Sequence, residues 1–229
     1  QSSTKAAELY TMAAEQGYVK AMYNSGNMYQ NGQGVVQSFK KAAEFFTMAA
    51  EQGNVSAMFN LGHLYRNGEG VAQSFEKAAE LYTMAVEQGY ATAMTALGVC
   101  YENGQGVVQS FKKAAELYTM AAEQGFVEAM TGLGLLYIQG QGVDQSNVLA
   151  REWWTKAANE GQENAIEWLK TLDEQEGKST TTTTSPTTPA TSPSVYCSSC
   201  NTPQPSGQTF RKCMGCRTVQ YCNKDCQRA

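Results

Sequence analysis

The stretch AMTALGVCYENGQGVVQSFKKAAELYTMAAEQGFVE, residues 93–128, decides the fold because near-identical copies of it lie on both sides. The full copies, each beginning 36 residues after the one before, are residues 21–56, 57–92, 93–128 and 129–164. Residues 1–20 match the end of an earlier copy, and residues 165–172 match the start of a later one. One unit of this length cannot bury its apolar face alone, so the copies are expected to stack on one another.

Each copy carries the pattern of two short helices. Counted from the aligned alanine, which is Ala93 in the third copy, apolar side chains recur at places two, five, eight and nine, and this spacing marks one buried helical face. Glycines in the segment 103–106 end the first helix, because glycine accepts a positive φ. Ser110 is the expected N-cap of a second helix that ends at Gly125. The copies therefore predict an all-α solenoid of stacked helix-turn-helix repeats over residues 1–172.

A glycine at place six falls inside the first helix of every full copy. Glycine in a helix interior costs about 1 kcal/mol relative to alanine, so its recurrence needs a reason. We expect that another backbone passes close to it. The four glycines are Gly26, Gly62, Gly98 and Gly134.

Three places vary between copies while their neighbours stay fixed. Places three, seven and ten follow the spacing i, i+4, i+7, which puts them on one face of the first helix. We expect this face, here called the variable stripe, to line a groove that binds a protein partner. An unconstrained solvated face is the alternative, but aromatic and leucine side chains are unusual on such a face. The stripe consists of Tyr23, Asn27, Gln30, Phe59, His63, Arg66, Thr95, Val99, Glu102, Thr131, Leu135 and Ile138.

The copies resemble a known repeat family. LGxxY at residues 61–65, 97–101 and 133–137 is similar to the tetratricopeptide signature. The 36-residue period, the NGxGV turn and the AAEQG ending resemble its longer relative, the Sel-one-like repeat. The resemblance covers residues 1–172 and implies an adaptor that holds partners in a concave groove. This chain departs from the family in having Gln-Ser after GV, where an acidic residue is common.

Other residues that could suggest chemistry are explained by the repeat. His63 is the only histidine, and other copies place Asn, Val or Leu there. Cys100 stands where other copies have Met or Leu, which indicates a core position. Trp154 and Trp168 are expected to close the end of the stack. No nucleophile–base pair is found, so no enzymatic activity is expected.

Two further segments follow the repeats. Residues 173–194, which include STTTTTSPTTPATSPS, are rich in Ser, Thr and Pro and are expected to be a disordered linker. Residues 195–229 contain six cysteines in pairs: Cys197, Cys200, Cys213, Cys216, Cys222 and Cys226. Thiolates spaced in this way can share a tetrahedral ion, so the pattern predicts a small module stabilised by Zn²⁺.

The cysteine pattern CxxC…CxxC…YCxxxCQ resembles the MYND zinc finger. In that family two zinc ions are bound in interleaved fashion. The resemblance implies that the first ion is held by Cys197, Cys200, Cys222 and Cys226. It also implies that Cys213 and Cys216 begin a second site, whose remaining His and Cys would follow Ala229. We therefore expect a piece of a longer protein, cut at both ends, with two ions in the complete finger and one fully ligated here.

Charge and composition narrow the class of partner. Residues 195–229 carry a net charge of +4, whereas the rest of the chain carries −8. An acidic repeat body is a poor general nucleic-acid binder. The sequence contains no run of 18 apolar residues, so no membrane span is expected. Paired cysteines suit a reducing compartment, so cytoplasm or nucleus is expected. Because the sequence opens inside a repeat, an upstream targeting segment stays an open alternative.

These observations predict a non-enzymatic adaptor with two binding elements. The repeat groove would hold one protein, and the MYND resemblance implies that the finger docks a second one through a proline-containing peptide. The alternative is a regulator of the ubiquitin pathway, transcription or chromatin, whose basic finger contacts an enzyme complex or DNA.

Overall fold

A computed structural model describes residues 2–177, and within this range the chain forms ten α-helices and no β-strand. The helices are α1 Ser2–Glu15, α2 Val19–Asn31, α3 Phe39–Glu51, α4 Val55–Asn67, α5 Phe75–Glu87, α6 Ala91–Asn103, α7 Phe111–Glu123, α8 Val127–Gln139, α9 Asn147–Asn159 and α10 Glu163–Gln175. The most extensive contacts join α2 to α3, α4 to α5, α6 to α7 and α8 to α9. Each pair is one copy of the repeat, so the predicted helical solenoid is confirmed.

Local sequence signals begin and end these helices as expected. The hydroxyl of Ser110 accepts a hydrogen bond from the backbone N–H of Lys113 at 3.3 Å, and the serine before each of α3, α5 and α9 does the same. The first helix of that copy ends at Gly104, whose φ of 67° is left-handed. Serine caps and glycine stops therefore set the repeat length before any tertiary contact forms.

The glycine at place six makes room for an aromatic ring, so the expectation of a passing backbone is wrong. A Cβ added to Gly98 would lie 2.5 Å from Cε1 of Tyr118, on the second helix of the same pair. No atom can occupy that position while the ring is there, so glycine is required. The other pairs are Gly26 with Phe46, Gly62 with Tyr82, and Gly134 with Trp154.

A close backbone approach occurs instead at the second glycine of the GxG turn in each repeat. Gly106 has a φ of 70°, and a Cβ there would overlap the backbone of Phe75, the first residue of a helix in the preceding repeat. Gly70 and Gly142 make the same approach to Phe39 and Phe111. The turn of one repeat therefore rests on the helix start of its neighbour, and this contact sets how closely the repeats stack.

The last helix extends past the boundary predicted from the sequence. Helix α10 continues to Gln175, so three residues assigned to the linker are helical. Arg151 on α9 explains the extension, because its guanidinium forms salt bridges with Asp173 and Glu176. Trp154 is buried and its ring centroid lies 5.2 Å from that of Trp168, as expected for residues that close the stack.

Candidate partner-binding surface

The variable stripe lies on the first helix of four successive pairs, namely α2, α4, α6 and α8. Eleven of its twelve side chains are half-buried, and none is fully exposed. Thr131 is the exception: it is 8% exposed and its hydroxyl donates to the Val127 carbonyl oxygen at 2.7 Å. Thr131 therefore presents less accessible surface to a partner than the other members of the stripe do.

In the first two copies, the stripe residue at place three is aromatic. The Tyr23 ring centroid lies 6.0 Å from that of Phe46. The Phe59 centroid lies 5.7 Å from both Tyr82 and Tyr90. These rings rest on the aromatic layer of the core, which fixes their orientation before any partner arrives.

At place seven the stripe changes from polar to aliphatic along the stack. Asn27 accepts a hydrogen bond from the Asn60 side-chain amide at 3.1 Å, which links two neighbouring repeats. In the second copy, Nδ1 of His63 lies 3.3 Å from Nδ2 of Asn67. In the last two copies the same place is filled by aliphatic residues that pack against the core: Val99 and Leu135.

At place ten the backbone is clamped while the side chain differs in every copy. A glutamine seven residues later donates its side-chain amide to the carbonyl oxygen at place ten, over 2.8–2.9 Å in all four copies. These clamps join Gln37 to Gln30, Gln73 to Arg66, Gln109 to Glu102, and Gln145 to Ile138. The departure from the family at Gln-Ser therefore has a structural role.

The centre of the stripe holds two charged side chains with different surroundings. Glu102 accepts a 2.6 Å hydrogen bond from the Tyr118 hydroxyl, and burial together with this bond raises the pKa of Tyr118. The Tyr82 hydroxyl is buried without a hydrogen-bond partner within 3.5 Å, and burial raises its pKa to about 12, an effect that the nearby Arg66 partly offsets. Arg66 forms no salt bridge with any residue in the range 2–177.

Metal chemistry is not found in the described part of the chain. Residues 2–177 contain no group of three or more His, Cys, Asp or Glu side chains placed to hold a metal ion. Cys100 is a free, fully buried thiol, which confirms its assignment to the core. The predicted zinc ligands lie outside the described residues: Cys197, Cys200, Cys213, Cys216, Cys222 and Cys226.

Across the same 2–177 range, every helix is too short or too polar to cross a membrane.

Comparison with known proteins agrees with this architecture. The Sel1 repeat family matches residues 1–18, 19–54, 55–90, 91–126 and 127–162. No curated protein sequence matches the chain.

Two solved structures are similar to the chain over 76% of its length. One is a protective antigen of uropathogenic Escherichia coli that displays an SLR fold, with 34% identity and a TM-score of 0.73; the match spans 37% of that antigen. The other is a Sel1 repeat protein from Oxalobacter formigenes, with 30% identity, a TM-score of 0.70 and 69% of its chain matched. The chain therefore belongs to the Sel1 repeat family, whose members are in general scaffolds for protein interactions.

Proposed function

We propose that this chain is a non-enzymatic adaptor that binds one protein on the variable stripe and a second through a zinc-stabilised C-terminal module. The observation that supports the first part is the contrast within each repeat. The buried residues and the caps are nearly the same in every copy, whereas the half-exposed stripe changes in charge, size and polarity. A surface that only faces water gives no reason for aromatic and aliphatic side chains to gather on it.

The stripe is also ordered before it binds. Glutamine clamps hold the backbone at place ten, and ring contacts hold Tyr23 and Phe59. Ordering a flexible side chain at an interface costs about 0.5–1.5 kcal/mol, so a surface with fixed side chains loses less entropy when a partner docks.

The chemistry of the stripe indicates the kind of segment that it accepts. Its first half carries aromatic rings, amides and the cation of Arg66, which forms no salt bridge within residues 2–177. Its second half contains three aliphatic side chains packed on the core, Val99, Leu135 and Ile138. An extended partner segment with an acidic residue near Arg66, followed by apolar residues, would complement both halves.

A chain in which the second and fourth copies carry the amides of the first copy tests this proposal. Asn27 and Gln30 already show that the repeat tolerates these residues, so the fold is expected to survive. The substitutions are His63→Asn, Arg66→Gln, Leu135→Asn and Ile138→Gln. We expect this stripe-swap variant to lose at least ten times in affinity for proteins that the unaltered chain captures from lysate, as removal of a few central contacts commonly does.

Three exposed valines outside the stripe provide a matched control. Val36, Val108 and Val148 are 88%, 89% and 67% exposed, and their replacement by glutamine should leave capture unchanged. Quantitative mass spectrometry of the captured proteins is the readout, with helical circular dichroism confirming that both variants are folded. Equal capture by the stripe-swap variant and the unaltered chain would refute the stripe as the binding surface.

The proposed zinc module rests on its donor set. Six thiol side chains in closely spaced pairs are soft ligands of the kind that zinc prefers over calcium or magnesium. When bound, the ion would supply folding energy to a segment too small to build a large core. Docking of a proline-containing peptide by this module follows from the resemblance to MYND fingers.

Removal of zinc should affect the C-terminal module and leave the solenoid folded. We expect a chelator to release zinc from the purified chain and to leave the helical circular dichroism nearly unchanged, because none of the six cysteines lies in α1–α10. Cys197→Ser should lower the amount of zinc bound per chain, whereas Cys100→Ser should not. A large loss of helical signal on chelation, or a zinc content unaffected by Cys197→Ser, would contradict this division.

A further inference from the structure

A row of exposed methionines crosses the second helices of the repeats, away from the variable stripe. They recur every 36 residues, on α1, α3, α5 and α7. On α3, α5 and α7 every other large apolar side chain is buried or half-buried, so the exposure of these methionines is unusual. On α1, Leu9 and Tyr10 are exposed as well. The row, with the exposed fraction of each residue, is Met12 at 57%, Met48 at 38%, Met84 at 45% and Met120 at 46%.

Two rows of glutamates flank the methionine row. One glutamate precedes each methionine by four residues and one follows it by three, so all three rows share a face of the helix. All eight carboxylates are exposed, and none of them forms a salt bridge with a residue in the range 2–177. The preceding row is Glu8, Glu44, Glu80 and Glu116; the following row is Glu15, Glu51, Glu87 and Glu123.

Three lysines near this face stack on tyrosine rings and do not pair with the glutamates. Lys41, Lys77 and Lys113 place their ammonium groups 4.9–5.0 Å from the centroids of tyrosine rings on the preceding helices. These three lysines therefore form no salt bridge with the glutamate rows, and neither do Lys5, Lys40 and Lys112, which lie one helical turn before Glu8, Glu44 and Glu116. In the last pair the methionine is replaced by Lys156, which lies over the Trp153 ring at 3.9 Å, so the row ends there.

We infer that the methionine row is a second docking surface, for a cationic amphipathic helix of another protein. Methionine is flexible and polarisable, and it adapts to varied apolar partners. An apolar stripe on the partner would cover the methionines, and lysine or arginine on either side of that stripe would meet the two carboxylate rows.

The same charges argue against other occupants. Anionic lipid and nucleic acid would be repelled by eight carboxylates. A second copy of this chain would bring its own glutamate rows against these. A basic peptide helix has the matching sign and shape.

A synthetic helix tests the inference directly. The probe is a fluorescent 20-residue peptide of leucine and lysine with one apolar stripe, and its control is a peptide of the same composition with the leucines dispersed. We expect fluorescence anisotropy to show at least tenfold tighter binding of the striped peptide to the full chain. The variant Met48→Lys, Met84→Lys, Met120→Lys should bind it at least ten times more weakly, and Lys156 shows that the position accepts lysine.

Net charge needs its own control, because three lysines alter long-range attraction. Val36→Lys, Val108→Lys, Val148→Lys adds the same charge at exposed sites off the row and should bind as the unaltered chain does. Equal weakening in both variants, equal binding of both peptides, or capture of the chain by anionic vesicles would overturn the inference. The stripe-swap variant should bind the probe normally, so this test fails or succeeds independently of the proposed groove.

Discussion

Replacing Gly106 by alanine is expected to lower the free energy of unfolding by about 3–5 kcal/mol, through a left-handed backbone angle and a steric overlap together. The φ of this residue is 70°, and its Cβ would enter the space of the Phe75 carbonyl group in the preceding repeat. That group belongs to a helix backbone, so it cannot rotate away as a side chain would. Either the turn shifts or the two repeats separate. Urea denaturation followed by circular dichroism measures the loss.

Gly125 is the matched control because it shares the backbone angle but not the contact. Its φ is 90°, and an added Cβ would meet no atom within 4 Å. Gly125→Ala should therefore cost only the conformational penalty, about 1–2 kcal/mol. If both variants lose the same stability, the close approach of the turn to the neighbouring repeat contributes nothing, and our account of how repeats stack is wrong.

Replacing Phe46 by alanine should cost about 3–5 kcal/mol, the usual range for a large aromatic side chain removed from a core. Phe46 is fully buried, and its ring fills the space above Gly26 on the adjacent helix. The ring also contacts Tyr23, so the variable stripe loses support when it is removed.

The glycine partner makes this prediction specific. Gly26→Ala alone should destabilise by about 1–3 kcal/mol, because its Cβ would lie 2.5 Å from the Phe46 ring. In the Phe46→Ala background the ring is absent, so the added Cβ at residue 26 meets no clash with it. Alanine then stabilises the helix relative to glycine by about 1 kcal/mol. We therefore expect Gly26→Ala to change sign between the two backgrounds in urea denaturation. Additive losses would show that ring and glycine are not coupled.

Local signals were enough to predict most of the solenoid. Serine caps, glycine stops and apolar spacing act within about one helical turn, and the structure confirms both helices of each copy. The place-six glycines show where this reasoning ends. Their recurrence indicated a close contact, but the sequence could not say whether a backbone or a ring made it, since Gly98 and Tyr118 are 20 residues apart.

The candidate surface was predicted in outline only. Helical spacing places the twelve stripe residues on one face, but it does not reveal that Thr131 is buried or that glutamines such as Gln109 clamp the stripe backbone. The methionine row was missed because Met84 and its equivalents look like core residues in an apolar pattern. The sequence does show a methionine at the same place in successive copies, between two glutamates. Only the exposed fraction of each methionine in the structure shows that this place lies on the surface.

The most direct test of the adaptor is the affinity of a captured partner for the unaltered chain and for the stripe-swap variant, each at low and at moderate salt. Our account predicts a loss of at least tenfold in the variant and a modest dependence on salt, because Arg66 is the only cation of the stripe and most of its other side chains are uncharged. Unchanged affinity in the variant would contradict the stripe as the binding site. A steep fall with salt, of the kind that phosphate contacts produce, would instead favour nucleic-acid binding.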